Sequence, residues 1–252
     1  TIKDRLVYSQ KNYYFKTTNN VWSSDEHEIT RMVRFIVSNS GICRKDSKGE
    51  TVSYTQNLRN ATSITTSIFD IAVNRADDGW VDRVFKSSHG YVLFKNGYWS
   101  FKANKFFRNG ADDFNSKIIF MDSIPFDYDE SFNDEARITY VNDTLFHMPF
   151  GDEVGEYYKL NIARGLAGDC MKRFLVGIGP RNTGKSTISL ALKESCGGYY
   201  AGWNGAGIAV KNNITDEAQR LRWLLLLRNK RIIVSNELST NINIDGNMFK
   251  KM

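Results

Sequence analysis

Two glycines, a lysine and, directly after the lysine, two hydroxyl side chains stand at fixed spacing in the stretch GPRNTGKST, residues 179–187. This G-x-x-x-x-G-K-[ST] pattern is typical of a loop that wraps a phosphate in backbone N–H groups and leads into a helix. Gly179 and Gly184 would give the backbone its freedom. Lys185 would reach the β- and γ-phosphates of ATP, and Ser186 would place its hydroxyl on Mg²⁺. The alternative is a glycine turn before a helix with no ligand. The residues assigned to nucleotide binding are Gly179, Pro180, Arg181, Asn182, Thr183, Gly184, Lys185, Ser186 and Thr187.

A second candidate group lies at the end of RIIVSNE, residues 231–237. An NTPase needs a carboxylate beside the phosphate loop, to orient the attacking water and to help hold the metal. Glu237 ends an apolar run and is the candidate catalytic acid together with Lys185. Asn236 would be a neutral metal-side ligand acting through water, so the candidate metal residues are Ser186, Asn236 and Glu237. The alternative is a buried strand whose terminal Glu237 faces solvent.

The phosphate loop needs a strand before it and a helix after it. FLVGIG, residues 174–179, is a short apolar run suited to a buried parallel strand, and residues 186–195 have helical spacing. Residues 151–169 predict a helix that leads into this strand. A further long helix is expected from a cap at Thr215. This order predicts an α/β fold, a P-loop, AAA+-like ATPase core with a parallel sheet.

The first half predicts a smaller α+β domain over residues 1–150, followed by the ATPase part over residues 151–252. Residues 12–22 predict a hairpin around Asn19 and Asn20. A helix should follow, because Ser23 and Glu26 have capping-box spacing.

Two further strands and a turn are expected in this half. Asn96-Gly97 joins two alternating aromatic runs within residues 90–101, as a two-residue hairpin turn prefers. KIIFMDSIPFDYD, residues 117–129, predicts one more strand before a turn.

The charge is unevenly placed along the 252 residues. Residues 1–150 contain 19 Lys+Arg and 19 Asp+Glu, whereas residues 151–252 contain 15 and 9, so the whole net charge of +6 lies in the second part. This asymmetry favours a polyanionic partner, nucleotide or nucleic acid. A solvated basic face is the alternative.

Cysteine usage and hydropathy indicate the compartment. Three cysteines without C-x-x-C spacing argue against a disulfide framework or a zinc site and favour a reducing compartment. The longest apolar run, residues 223–227, is too short for a membrane span, and no signal peptide is recognisable. We therefore expect a soluble, intracellular protein with no membrane partner.

Several residues resemble functional groups but have simpler interpretations. Asp127 and Asp129 form a D-x-D pair, and residues 87–89 read S-x-H, both of which are elements of primase sites. Their order is reversed relative to primases, so we expect a surface turn and a structural histidine. His27 and His147 are also expected to be structural. The aromatics near basic residues are either core or stacking surfaces for a single strand; they are Tyr199, Tyr200, Trp203 and Trp223.

The phosphate loop, KRIIVSNEL and the preceding GLAGDCMKRFLVGIG resemble the superfamily 3 helicase core of viral and phage primase–helicases, including the poxvirus type. Glu237 matches the acidic end of that family's second motif. YYFKTTNNVW, FKNGYWSF and SIPFDYD are similar, more loosely, to the domain that precedes the helicase. The resemblance covers nearly the whole chain, most strongly over residues 165–252.

The resemblance implies a replicative DNA helicase in which ATP hydrolysis with Mg²⁺ drives translocation on single-stranded or forked DNA. It implies a homo-oligomeric ring, most often a hexamer, with primase or other replication proteins as partners, in the host cytoplasm or a viral replication site. Family members continue past residues 247–252 into a DNA-contacting hairpin, a sensor Asn and an Arg that reaches a neighbouring subunit. We therefore expect this chain to be a fragment that binds nucleotide weakly or not at all and is inactive alone.

Two other functional classes fit the same loop. One is a P-loop phosphoryl-transferase for a small molecule, although such kinases usually carry the loop near the start of the chain. The other is a nucleotide-gated DNA-packaging or scaffold protein. DNA-stimulated ATP hydrolysis separates a helicase from a transferase, and assembly without strand separation favours the scaffold.

Overall fold

The computed structural model has mixed helix and sheet and divides into two compact units. One unit comprises residues 1–87 and 116–121, and the other comprises residues 88–115 and 122–252. The boundaries between these units do not fall at residue 150. The domain boundary predicted there from the sequence stays a prediction. The described residues are 2–171, 174–180, 183–208, 221–235 and 243–247.

The first unit combines two small antiparallel sheets with helices. The predicted hairpin is confirmed, because β2 pairs with β3 and Asn20 between them has φ +62°. Ile29 and Val33 of α1 are buried with Phe15 of β2 in the core of this unit. The elements are β1 (Leu6–Ser9), β2 (Asn12–Lys16), β3 (Trp22–Ser23), α1 (Glu26–Ser38), β4 (Cys43–Lys45), β5 (Thr51–Ser53), α2 (Leu58–Asn74) and α3 (Trp80–Ser88), after a 3-10 turn at Ile2–Asp4.

The start of α1 corrects the predicted capping box. Asp25, not Ser23, is the N-cap, and its Oδ1 accepts the backbone N–H of Glu28 at 2.7 Å. Ser23 instead donates its hydroxyl to the Glu28 carboxylate at 2.6 Å and accepts the N–H of Asp25. Asp25 is the stronger cap because its acceptor is charged and faces the positive end of the helix.

The second unit contains a three-stranded antiparallel sheet, β6 (Tyr91–Phe94), β7 (Gly97–Ser100) and β8 (Lys105–Arg108). The predicted hairpin is confirmed, but its turn residues are Lys95 and Asn96, because Phe94 pairs with Gly97. Neither turn residue has positive φ. Gly97 is needed for a close approach instead, since a Cβ there would lie 2.1 Å from the Phe107 carbonyl oxygen.

The strand expected at residues 117–129 does not form, because the segment makes only isolated β-bridges and no continuous hydrogen-bonded ladder. Phe120 forms a single bridge with Val21, and Ile124 forms one with Phe94. Beyond Pro125 the Lys95 N–H donates to the Phe126 carbonyl at 3.1 Å, but these isolated bonds do not extend into a ladder, so the segment does not become a strand.

Helices lead from this sheet toward the phosphate loop. The helix predicted at residues 151–169 is confirmed as α6 (Asp152–Ala167), which ends at Gly168 in the left-handed region with φ +93°. Before it come α4 (Glu135–Asn142), a π-helical turn (Asp143–His147) and the short α5 (Met148–Phe150). A 3-10 turn, Glu130–Phe132, precedes α4.

The last part of the described chain contains α7 (Lys185–Cys196), which confirms the helix predicted after the loop. Strands β9 (Tyr200–Gly202) and β10 (Ile232–Val234) pair in parallel. Ile188 and Leu192 of α7 are buried against Ile232 of β10 in the core of this unit. Additional 3-10 turns occupy Gly197–Tyr199, Gly205–Ile208 and Arg222–Leu227.

One prediction in this part needs correction, and another lies largely outside the described residues. Residues 174–180 form no strand, and Val176 and Ile178 are exposed by 72% and 93%. An apolar run becomes a strand only where a neighbour supplies a hydrogen-bonded ladder, and no described strand pairs with this one. The helix predicted from Thr215 falls partly on residues 209–220, outside the described residues. In the described part of that segment, Arg222–Leu227 form a 3-10 helix, and Asn229 with φ +66° lies just beyond it.

Candidate phosphate-binding site

The start of α7 has the backbone form expected of an anion-binding loop. Gly184 is the N-cap residue with φ +82°, and it has no side chain to cap the first turn. Ser186 and Thr187 follow in that turn and are exposed. The N–H groups of a helix N-terminus attract negative charge, so the turn is suited to a phosphate.

Lys185 is folded back onto the loop itself. Its Nζ donates to the carbonyl oxygens of Gly179 at 2.9 Å and Pro180 at 2.6 Å. It also lies 3.0 Å from the hydroxyl oxygen of Thr183. The cation is therefore held against acceptors of its own loop.

The first glycine of the loop lies next to Thr183 and Lys185. A Cβ on Gly179 would lie 3.4 Å from Thr183 Oγ1 and 3.7 Å from Lys185 Nζ. These are ordinary van der Waals distances, so the space beside Gly179 alone would admit a methyl group. Arg181 and Asn182, the middle of the predicted loop, lie outside the described residues.

The described loop residues are of kinds that would hold the phosphates and the Mg²⁺ of ATP. The left-handed Gly184, the uncapped first turn and the exposed Lys185 would hold the phosphates. Ser186 would offer a hydroxyl to Mg²⁺. Asn236 and Glu237, the other predicted metal and catalytic residues, lie outside the described residues, just after Ser235.

Helix α7 is fixed to the sheet beneath it. Its Ser189 hydroxyl lies 2.9 Å from the Tyr200 hydroxyl of β9. The neighbouring Tyr199 is buried, and burial raises its pKa to about 12 while Arg231 opposes the rise. Tyr199 stays a neutral phenol whose oxygen accepts the N–H of Leu93 at 3.0 Å.

Arg231 and Lys230, directly before β10, anchor the strand that leads to Glu237. The Arg231 guanidinium donates to three carbonyl oxygens, at 2.6 to 2.9 Å, and lies 4.6 Å from the centre of the Tyr199 ring. Burial lowers the pKa of Arg231, but a guanidinium remains charged. The three acceptors are the carbonyls of Tyr91, Leu166 and Ser88.

Lys230 donates to Asp122 Oδ1 at 2.8 Å and to the Gly198 carbonyl at 2.7 Å. Burial raises the pKa of Asp122, and Lys230 opposes that rise. Sequence reasoning missed this pair and the anchoring role of Arg231. The sequence does show two cationic residues directly before this short strand, but it does not indicate which residues they bind.

Asp129 and His89, which resembled parts of a primase site, have structural roles. Asp129 caps the 3-10 turn at Glu130–Phe132 by accepting the N–H of Ser131 at 2.8 Å. His89 Nε2 lies 3.1 Å from Asp169 Oδ1, and Arg164 bonds the other oxygen of Asp169 at 2.8 Å. Arg164 and then His89 lower the pKa of Asp169.

His147 and two of the tryptophans were also singled out in the sequence, and the structure shows their neighbours. His147 does have acidic neighbours, because its ring lies between Asp143 and Glu156. Within the described residues, no cluster of three or more His, Cys, Asp and Glu side chains is arranged to hold a metal ion. Trp203 and Trp223 stack on each other, with ring centroids 5.2 Å apart and 11° between planes.

No family model matches the chain. The chain is similar to a Sputnik virophage protein named "Putative helicase V13", with 31% identity over 179 residues. The alignment covers 69% of this chain and 22% of that protein, so the chain spans about a fifth of the relative's length. An alignment that covers 69% of the chain must include residues on both sides of residue 150, the predicted domain boundary. None of the helices in the described ranges has the length and apolar character needed to cross a bilayer.

Proposed function

We propose that the chain is part of an ATP-dependent viral or phage DNA helicase and carries its phosphate loop. The observation that supports this most directly is the loop before α7, where Lys185 lies beside Gly179 and Gly184 takes a left-handed conformation. The similarity to a virophage protein named as a helicase favours a helicase over a small-molecule kinase or a packaging scaffold. More specifically, we propose that this helicase is of the superfamily 3 primase–helicase type.

Each residue of the site would have a separate role in ATP binding or hydrolysis. The first-turn N–H groups of α7 and the Lys185 ammonium would neutralise the phosphates, and Ser186 would bind Mg²⁺. Mg-ATP supplies the phosphoanhydride bond whose hydrolysis drives movement. Glu237 would orient the attacking water, and Asn236 would support the metal through water. The anchored strand β10 leads the chain toward these two residues.

The finer proposal includes partners. A homo-oligomeric ring, most often a hexamer, would enclose single-stranded or forked DNA, and the excess of positive charge in residues 151–252 supports a polyanionic partner. Primase or other replication proteins would act beside it.

The experiment is steady-state ATP hydrolysis by the full-length protein, with and without single-stranded DNA, combined with unwinding of a forked duplex. We expect DNA to stimulate hydrolysis in the parent. Glu237→Gln should retain ATP binding but lower turnover by about a hundredfold, because the carboxylate activates water and does not grip the nucleotide. Hydrolysis that DNA does not affect would favour a transferase. Unchanged turnover in Glu237→Gln would move the catalytic acid elsewhere.

A further inference from the structure

The Lys185 ammonium group has three N–H donors, and three acceptors of its own loop surround it. Two are the backbone carbonyls of Gly179 and Pro180, at 2.9 and 2.6 Å, and the third is the Thr183 hydroxyl, at 3.0 Å. Any bond from this cation to a phosphate must therefore replace one of these bonds.

Thr183 is the one side chain among these acceptors. Its hydroxyl also donates to the Pro180 carbonyl at 3.0 Å, so the hydroxyl and the ammonium share that oxygen. This closes a small ring of hydrogen bonds through Lys185, Thr183 and Pro180. The hydroxyl thereby keeps the carbonyl oriented toward the cation while accepting from it.

We propose that Thr183 is a positioning residue that holds the Lys185 ammonium on the loop's own carbonyls in the absence of nucleotide, and so lowers affinity for a triphosphate. This rests on the proposed function of the loop. The hydroxyl competes with the phosphate for the same cation, and its removal frees one donor without changing the charge of the site.

The first test needs no nucleotide. Acylation of lysines by an N-hydroxysuccinimide ester, followed by peptide mass spectrometry, measures how free each amine is. Thr183→Val keeps the side-chain shape and removes the hydroxyl, so acylation of Lys185 should rise about threefold, as expected for the loss of one exposed hydrogen bond to a charged group. Thr183→Ser should match the parent. Lys193, exposed on the same helix, is the internal reference.

The second test measures binding of Mg-ATP and of pyrophosphate at equilibrium in the full-length protein. Thr183→Val should lower both dissociation constants about threefold to fivefold, and Thr183→Ser should leave them unchanged. Pyrophosphate carries no base or sugar, so a parallel effect on both ligands assigns the change to the phosphate contact.

The outcomes separate this proposal from the function it rests on. Equal Lys185 acylation in the parent and in Thr183→Val overturns the proposal that Thr183 holds the Lys185 ammonium. Weaker ligand binding by Thr183→Val also overturns it, because the hydroxyl would then assist binding. Raised acylation with no binding of either ligand by the parent would contradict the phosphate-binding function and the affinity claim with it.

Discussion

His147 shows how one side chain ties two helices of the second unit together. Its Nδ1 lies 3.1 Å from Asp143 Oδ1 in the π-helical turn, and its Nε2 lies 2.8 Å from Glu156 Oε1 on α6. Glu156 and then Asp143 raise the pKa of His147, and Asp152 adds to the rise. Lys159 bonds the same Glu156 oxygen at 2.6 Å and keeps that carboxylate ionised.

The raised pKa makes the stability contribution of His147 depend on pH. A histidine whose pKa is higher in the folded state stabilises the fold fully below its unfolded pKa of about 6.5. That contribution is lost as the pH rises through the folded-state pKa. We predict that His147→Gln lowers the melting temperature at about pH 5.5 and that the difference shrinks by about pH 8.5.

The measurement is thermal unfolding of the parent and variant across this pH range. His27→Gln, an exposed histidine on α1, is the matched control and should leave the profile unchanged. A His147→Gln deficit that grows toward high pH would contradict the assigned ion pairs.

The β6–β7–β8 sheet depends on one residue without a side chain. Gly97 starts β7 opposite Arg108 of β8, and a Cβ there would also lie 2.7 Å from the Phe106 ring. Aromatic rings pack densely behind it, since Phe106 stacks on Tyr128 at 4.6 Å. The element therefore cannot open locally without disturbing its aromatic packing.

We predict that Gly97→Ala destabilises the protein by about 2 kcal/mol or more, because the methyl group overlaps a backbone carbonyl that the ladder holds in place. Chemical denaturation measures this loss. Gly246→Ala, where the added methyl meets nothing within 4 Å, is the control and should change stability little. A loss of under about 0.5 kcal/mol for Gly97→Ala would mean that the sheet relaxes freely.

Across the molecule, local sequence patterns predicted helices and hairpins well. They predicted poorly which distant residues or strands would pair. Helices α6 and α7 and both hairpins follow from periodicity, caps and turn residues, which are encoded within a few positions. The strand at residues 174–179 was wrong, because an apolar run does not specify the neighbour that would pair with it. Arg231 illustrates the same limit, since its three carbonyl partners lie 65 to 143 residues away along the chain.

The candidate site was predictable to a similar extent. The spacing from Gly179 to Ser186 located the loop and its helix. It did not indicate that Lys185 turns back onto its own loop, because that depends on which acceptors the backbone presents. Glu237 and Asn236 remain predictions from the sequence.

Binding of Mg-ATP to the full-length protein, measured by isothermal titration calorimetry, tests most directly whether the loop before α7 holds a triphosphate. Lys185→Ala should weaken binding by at least about tenfold, because it removes the cation that reaches the β- and γ-phosphates. Lys193→Ala, on the same helix but beyond its first turn, should bind like the parent. A dissociation constant for Lys185→Ala within about twofold of the parent, well under the tenfold that 1.4 kcal/mol represents, would contradict the assignment of this loop as the nucleotide site.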